Sequence, residues 1–175
     1  MDGAAPLYRV LFVCAGNTCR SPLAAAALRQ ALGEAGRRVA IASAGVVAAA
    51  GSAATAAAAA TGQRHGLDLG AHRAQRVTAE LLEQSDLVLA LDTAELEAVR
   101  RLRPDAASRI HLITELGADA PSRAGVPDPF GGSPEVYEEC WRRIAEHVAR
   151  IAPIVVREVQ ARAEAEAASR HRGNT

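Results

Sequence analysis

The stretch Tyr8-Arg9-Val10-Leu11-Phe12-Val13-Cys14-Ala15-Gly16-Asn17-Thr18-Cys19-Arg20-Ser21-Pro22 decides how the rest of the chain is read. Tyr8 to Val13 is an apolar run with β-branched and aromatic members, the pattern of a buried strand. Ser21-Pro22 offers an N-cap and a proline for the first helical position. Leu23 to Glu34 then reads as an alanine-rich helix that ends near Gly36. Between strand and helix, one short loop carries both a thiol, Cys14, and a guanidinium, Arg20.

The alternation continues outward from this unit. Val39 to Ser43 is a second strand, closed by Ala44-Gly45, and Thr55 to His65 a helix stopped by Gly66. Asp86 to Leu91 and Ile110 to Ile113 are further strands, with the helix Thr93 to Leu102 between them. A loop rich in Gly, Ala, Pro and Asp covers Gly117 to Gly132. Ser133-Pro134 then opens a long helix from Glu135 towards Gln160, with Pro153 as the place for a kink. Strands alternating with helices imply a single-domain, three-layer α/β/α architecture around a four-stranded parallel sheet with right-handed crossovers. The expected domain is 8–160, between a flexible leader, 1–7, and a disordered tail, 161–175. Ligands on such sheets lie beyond the carboxyl ends of the strands, where the Cys14 loop falls.

Composition narrows the function. Twenty basic residues balance twenty acidic ones over 175 positions. Bulk charge therefore predicts no nucleic acid and no membrane partner. Three cysteines, two of them in one loop, make a poor disulfide framework. No basic-then-apolar leader opens the sequence, and the alanine-rich stretch 48–61 is too weakly apolar to span a bilayer. A cytoplasmic protein is the expectation. Scattered cysteines without paired histidines give no ligand set, so no metal or other cofactor is expected. Oligomeric state is left open.

The loop chemistry suits a phosphoryl group. A loop feeding a helix N-terminus presents backbone N–H groups and the positive end of a helix dipole. Gly16 lets the backbone turn, and the planar fork of Arg20 can grip two oxygens. The amides of Ala15, Gly16, Asn17, Thr18 and Cys19, with Ser21, are the expected phosphate contacts. Cys14 is the expected nucleophile. A free thiol has a pKa of about 8.5. The loop amides and Arg20 should lower it, and Ser21 could donate to the sulfur.

The run Cys14-Ala15-Gly16-Asn17-Thr18-Cys19-Arg20-Ser21-Pro22 resembles the signature loop of low-molecular-weight protein tyrosine phosphatases. Ser43-Ala44-Gly45, Ala71-His72-Arg73-Ala74 and Asp128-Pro129-Phe130-Gly131 follow in the order and rough spacing of that family, so the resemblance runs from Tyr8 to about Ala152. It implies the flavodoxin-like fold of that family and a phosphocysteine on Cys14. It also implies phosphoryl binding by Arg20 and the loop amides, with Asp128 as general acid and then general base. Phosphorylated proteins would be the substrates. The resemblance further implies a supporting network in which Asn17 bonds to Ser21, Ser43 and His72. Cys19 is either a redox partner of Cys14 or a small side chain backing the loop. Cys140, beside Trp141, reads as structural.

Specificity rests on Thr18 and Phe130. Gly-Asn-Thr-Cys-Arg-Ser is similar to the protein arginine phosphatase branch, and Asp128-Pro129-Phe130-Gly131-Gly132 lacks the tyrosines that tyrosine phosphatases commonly place after the proline. A small, polar Thr18 would admit a guanidinium. The expected activity is therefore hydrolysis of phosphoarginine in proteins, with phosphotyrosine as the alternative substrate. An arsenate reductase would need relay cysteines near residues 80–92, where none stand. A phosphate-binding module without catalysis would keep Arg20 but have no use for Cys14 or Asp128.

Overall fold

A computed structural model of the chain describes residues 8–117 and 122–172. Four strands, β1 (Tyr8–Cys14), β2 (Val39–Gly45), β3 (Leu87–Ala90) and β4 (Ile110–Leu112), form one parallel sheet in the order β2-β1-β3-β4. Among the described residues five helices accompany it: α1 (Arg20–Leu32), α2 (Ala56–Arg64), α3 (Ala79–Gln84), α4 (Thr93–Leu102) and α5 (Pro134–Arg172). Short 3₁₀ segments, Gly33–Arg38 and Pro104–Arg109, lead into β2 and β4. Four parallel strands with helices on both faces are what the sequence predicts. The helix α3 is absent from that reading.

Alternation along β1 builds two cores. Val10, Phe12 and Cys14 face the layer made by α1, α2 and α5, while Leu11 and Val13 face α3 and α4 with Leu82, Leu96 and Val99. This two-sided burial is why β1 and β3 are almost continuously apolar. The helix α1 is itself sandwiched between sheet and α5. Ala24, Ala25, Ala26 and Ala27 are all buried there, and their small side chains let the neighbouring layers approach. The apolar stripe of α5, Cys140, Ile144, Val148, Ile151 and Val155, recurs every three or four residues and covers α1.

The C-terminal expectation needs correction. The helix α5 does not end near Gln160 but runs to Arg172, with Pro153 inside it. Residues 161–172 are rich in Ala, Glu and Arg, all strong helix formers. Arg162 pairs with Asp86 at 2.9 Å and stacks over the Tyr8 ring at 4.7 Å, and Glu166 meets Arg38 at 3.2 Å. These contacts tie the extension to the amino-terminal edge of the sheet. The leader 1–7 and positions 173–175 lie outside the described residues. No described helix is long and apolar enough to cross a membrane.

Two close approaches position the carboxyl edge. The β1–β2 pairing continues past the strands, with Val46 N–H donating to the Cys14 carbonyl and Val47 N–H to that of Ala15, both at 3.0 Å. A side chain on Gly45 would place its Cβ 2.5 Å from the Ala15 carbonyl oxygen and 2.8 Å from the Asn17 nitrogen. On the other side, Gly125 sits at φ +27°, and a Cβ there would meet the Asp92 Cα at 2.5 Å. Glycine at these two points brings three loops together over the end of β1.

Candidate active site

Cys14, Ala15, Gly16, Thr18, Cys19, Arg20, Val47, Asp128 and Phe130 line a cavity of about 230 Å³ at the carboxyl edge of the sheet. The loop from Cys14 and the loop carrying Asp128, far apart in sequence, thus share one wall. A larger groove of about 730 Å³ runs along α5, where His65 stacks on Trp141 at 4.7 Å, but it holds no cysteine or other strong nucleophile.

The sulfur is tightly surrounded. Cys14 Sγ lies 2.9 Å from Ser21 Oγ, and Asn17 N–H donates to it at 3.2 Å. Ser21 has one proton to give. The Ala44 carbonyl is 3.5 Å away, so the sulfur is the nearer acceptor. Ser21 therefore does not cap α1. The helix begins at Arg20, and its N-cap, Cys19, makes no side-chain capping bond. The hydroxyl is turned instead to the sulfur. Asn17 and Ser21 are fully buried behind the loop and do not line the cavity wall, unlike Ala15, Gly16, Thr18 and Cys19.

Asn17, a residue type that tolerates left-handed backbone, supplies the turn rather than Gly16. It is the one described non-glycine residue with positive φ, 56°, whereas Gly16 has none. Its side chain explains how this is held. Asn17 Nδ2 donates to Ser21 Oγ and to Ser43 Oγ, each at 2.9 Å. Its Oδ1 accepts from Gln75 N–H at 2.9 Å. His72 Nε2–H donates to the Asn17 carbonyl at 2.7 Å. The network expected from Asn17, Ser21, Ser43 and His72 is therefore assembled. Gln75 is the member missed, standing one residue beyond the Ala71–Ala74 motif.

Arg20 reaches the cavity wall, but it is only 1% exposed and its two terminal nitrogens are bonded to protein acceptors. Nη1 donates to Asp92 Oδ2 at 2.9 Å and to the Val126 carbonyl at 3.1 Å. Nη2 donates to Glu95 Oε1 and Asp128 Oδ2, both at 3.2 Å. Burial pulls its pKa down, but Asp92, Glu95 and Asp128 outweigh that and hold it above the ordinary arginine value. Asp92 and Glu95 were missed by sequence reasoning. Their local signal was available, because Asp92-Thr93-Ala94-Glu95 opens α4 as a capping box: Asp92 Oδ1 accepts from Ala94 and Glu95 N–H, and Glu95 Oε2 accepts from Asp92 N–H.

This arrangement corrects the expectation for the sulfur. Burial pushes the Cys14 thiol above its ordinary range. Ser21, Arg20 and the Asn17 N–H pull the other way without overcoming it. The charge of Arg20 is shared among three carboxyl groups, which blunts its pull on the thiol. Asp128 itself is the exposed member of the cluster, its side chain 43% accessible. Phe130 N–H donates to Asp128 Oδ1 at 3.1 Å, and Val126 N–H anchors the loop to the Leu91 carbonyl at 2.7 Å. One carboxylate oxygen thus faces Arg20 while the loop keeps the other.

All three cysteines are free thiols. Cys19 Sγ lies 3.3 Å from Thr55 Oγ1 and 3.5 Å from the Tyr137 hydroxyl, so it backs the loop against α2 and α5. Cys140 is buried in α5, and burial pushes its thiol to about 12.

The whole-chain comparison agrees with this geometry. The sequence model of the low molecular weight phosphotyrosine protein phosphatase family matches residues 9–163. The chain belongs to that family. A low molecular weight protein-tyrosine-phosphatase of Streptomyces coelicolor is 35% identical over 164 residues, covering 89% of this chain and 98% of the relative. The protein-arginine-phosphatase of Geobacillus stearothermophilus is also 35% identical, over 149 residues, covering 83% of this chain and 94% of the relative. The solved YwlE arginine phosphatase of the same organism superposes with a TM-score of 0.78 at 32% identity, covering 86% of this chain and 94% of that one. This low-molecular-weight phosphatase is therefore a protein phosphatase acting through the cysteine-based chemistry of its family.

Proposed function

We propose that this phosphatase hydrolyses phosphoarginine in proteins, by way of a phosphocysteine on Cys14. The observation that carries the reading is the cavity wall: Thr18 and Asp128 both line it, and its one aromatic residue is Phe130, 71% exposed at the rim. A phosphotyrosine ring gains most from aromatic walls. A cationic phosphoguanidinium gains from a carboxylate and a small hydroxyl-bearing side chain.

In the first step Cys14 gives up its proton to solvent and, as the thiolate, attacks phosphorus, forming the P–S bond as the P–N bond breaks. Asp128, protonated, gives its proton to the leaving nitrogen. Arg20 and the loop amides hold the phosphoryl oxygens as charge shifts among them. In the second step Asp128, now ionised, takes a proton from water, whose oxygen attacks phosphorus. The P–S bond breaks, and phosphate and the thiolate result. Ser21 stabilises that thiolate by donating to it. Three free thiols fit a reducing compartment, so we place the protein in the cytoplasm.

Phosphotyrosine is the second reading, favoured by the equal identity to a tyrosine phosphatase. Parallel hydrolysis of phosphoarginine and phosphotyrosine peptides separates the two, with Cys14→Ala as the control for contaminating activity. The account expects a higher kcat/KM for phosphoarginine, and expects Thr18→Ile to move the ratio towards phosphotyrosine. A ratio that Thr18→Ile leaves unchanged would remove Thr18 as the filter.

A further inference from the structure

One cation here meets three carboxyl groups. The two terminal nitrogens of Arg20 carry four N–H bonds in all. The four acceptors Asp92 Oδ2, the Val126 carbonyl, Glu95 Oε1 and Asp128 Oδ2 match them. Were Asp92, Glu95 and Asp128 all ionised, the cluster would be net negative at the point where an anionic phosphoryl group has to bind. Only the Nε–H stands outside this set, so a two-pronged grip on an oxyanion requires Arg20 to release at least one acceptor.

The geometry says which acceptor leaves and which stays. Asp128 is half-exposed on a loop and can withdraw. Glu95 is 3% exposed, and both its oxygens are committed, Oε1 to Arg20 and Oε2 to the Asp92 N–H at 3.0 Å. It sits on the first turn of α4, fixed by the capping box. Remaining beside the guanidinium as a carboxylate would oppose an incoming dianion; remaining as a neutral acid would not.

We propose that Glu95 is a positioning residue for Arg20 and the proton store of the anion site: it holds the guanidinium as Asp128 withdraws, and takes up a proton from solvent when a doubly charged oxyanion settles on Arg20. The proposal rests on the reading of Arg20 as the oxyanion clamp. Burial, and then the hydrogen bond with Asp92, push Glu95 up to about 7 against the pull of Arg20. Its proton is therefore labile at neutral pH. Asp92 cannot play this part. Burial raises it, but hydrogen bonds with Glu95 and Arg20 outweigh that and keep its carboxyl below the usual range. Asp92 is the permanent counter-charge, and Glu95 the adjustable one. The other groups facing the cluster are Asp128 from its loop and Cys14 at the end of β1. From α5, Tyr137 and Cys140 both feel the charge of Asp128, and burial pushes both up, so they stay neutral in this range.

The test uses tungstate, an oxyanion that keeps two charges between pH 6.5 and 8.5. The protein carries Cys14→Ser and Asp128→Asn, so that neither titrates. With Glu95 present, tungstate affinity should fall about tenfold from pH 6.5 to 8.5, because the proton must be supplied from an increasingly poor source. With Glu95→Gln, which imitates the neutral acid, affinity should vary by no more than about twofold. The same slope in both proteins would overturn the proposal. So would an equal loss of affinity at every pH in Glu95→Gln, the mark of a merely structural residue. If Glu95→Gln does not fold, calorimetry on the Glu95 protein in buffers of different ionisation heat decides the matter. Uptake of about half a proton per tungstate at pH 7 supports the proposal, and uptake near zero overturns it. No tungstate binding at any pH would contradict the reading of Arg20 as clamp, and the proposal with it.

Discussion

Arg20 Nη2 donates to Asp128 Oδ2 across 3.2 Å, so the candidate anion clamp and the candidate proton donor hold each other. The contact is useful only if it is broken in turn, since Asp128 must reach the leaving group and Arg20 the phosphoryl oxygens.

That exchange makes a two-sided prediction for Asp128→Ala. Loss of the acid should lower kcat by ~10²–10⁴. Inorganic phosphate should inhibit the variant at least as strongly as the parent, because Nη2 gains an unshared N–H. Steady-state kinetics with phosphate as competitor measures both. Weaker inhibition by phosphate would show that Asp128 supports the anion site rather than competes for Arg20.

The thiol makes a second prediction. Burial pushes Cys14 up and Arg20 is too heavily shared to reverse it, so alkylation by iodoacetamide should be slow at neutral pH. It should climb only once the pH is above the ordinary thiol value of about 8.5. Asp92→Asn removes one of the charges that occupy Arg20, so it should lower the Cys14 pKa and speed alkylation at pH 7. Peptide mapping keeps Cys19 and Cys140 out of the measurement. An unchanged rate in Asp92→Asn would mean that Arg20 does not govern the sulfur.

Gly45 gives a third. A Cβ there would lie 2.5 Å from the Ala15 carbonyl oxygen and 2.8 Å from the Asn17 nitrogen, both backbone atoms that cannot swing aside. Gly45→Ala should displace the loop and lower kcat/KM by on the order of 10²-fold. A variant with full activity and an unchanged melting temperature would show that the loop has slack at this point.

Much of this was legible in the sequence because its signals are local. The end of α4 at Leu102 follows from Pro104 just beyond it. The strand Tyr8–Cys14 is an apolar run broken only by the exposed Arg9. What stayed hidden was long-range. Asp92 and Glu95 reach Arg20 only because β3 pairs directly with β1, which sets Leu91 and the start of α4 beside the Cys14 loop. Nothing within either segment states that neighbourhood. Ser21 as a cap and Gly16 as the turn fail for a related reason, whereas Ser21 does sit beside the sulfur as expected. A serine before a proline reads as a cap, and a glycine as a turn, until Asn17 is seen holding the left-handed position with Ser43, His72 and Gln75 around it. The helix α3 has six residues, with Leu82 its one fully buried side chain, too little periodicity to register. The final turns of α5 read as a tail because their anchors, Asp86 and Arg38, lie far away in the chain.

The covalent intermediate tests the account most directly. A phosphorylated substrate peptide, labelled at the phosphoryl group, is mixed with the protein and quenched in acid within the first turnover. The parent protein keeps Asp128 as the acid that forms the intermediate, and mass spectrometry then locates the label. The account predicts phosphate on Cys14, absent from Cys14→Ala, in an amount approaching one per active molecule. Turnover with no label on Cys14, or label undiminished in Cys14→Ala, would contradict it.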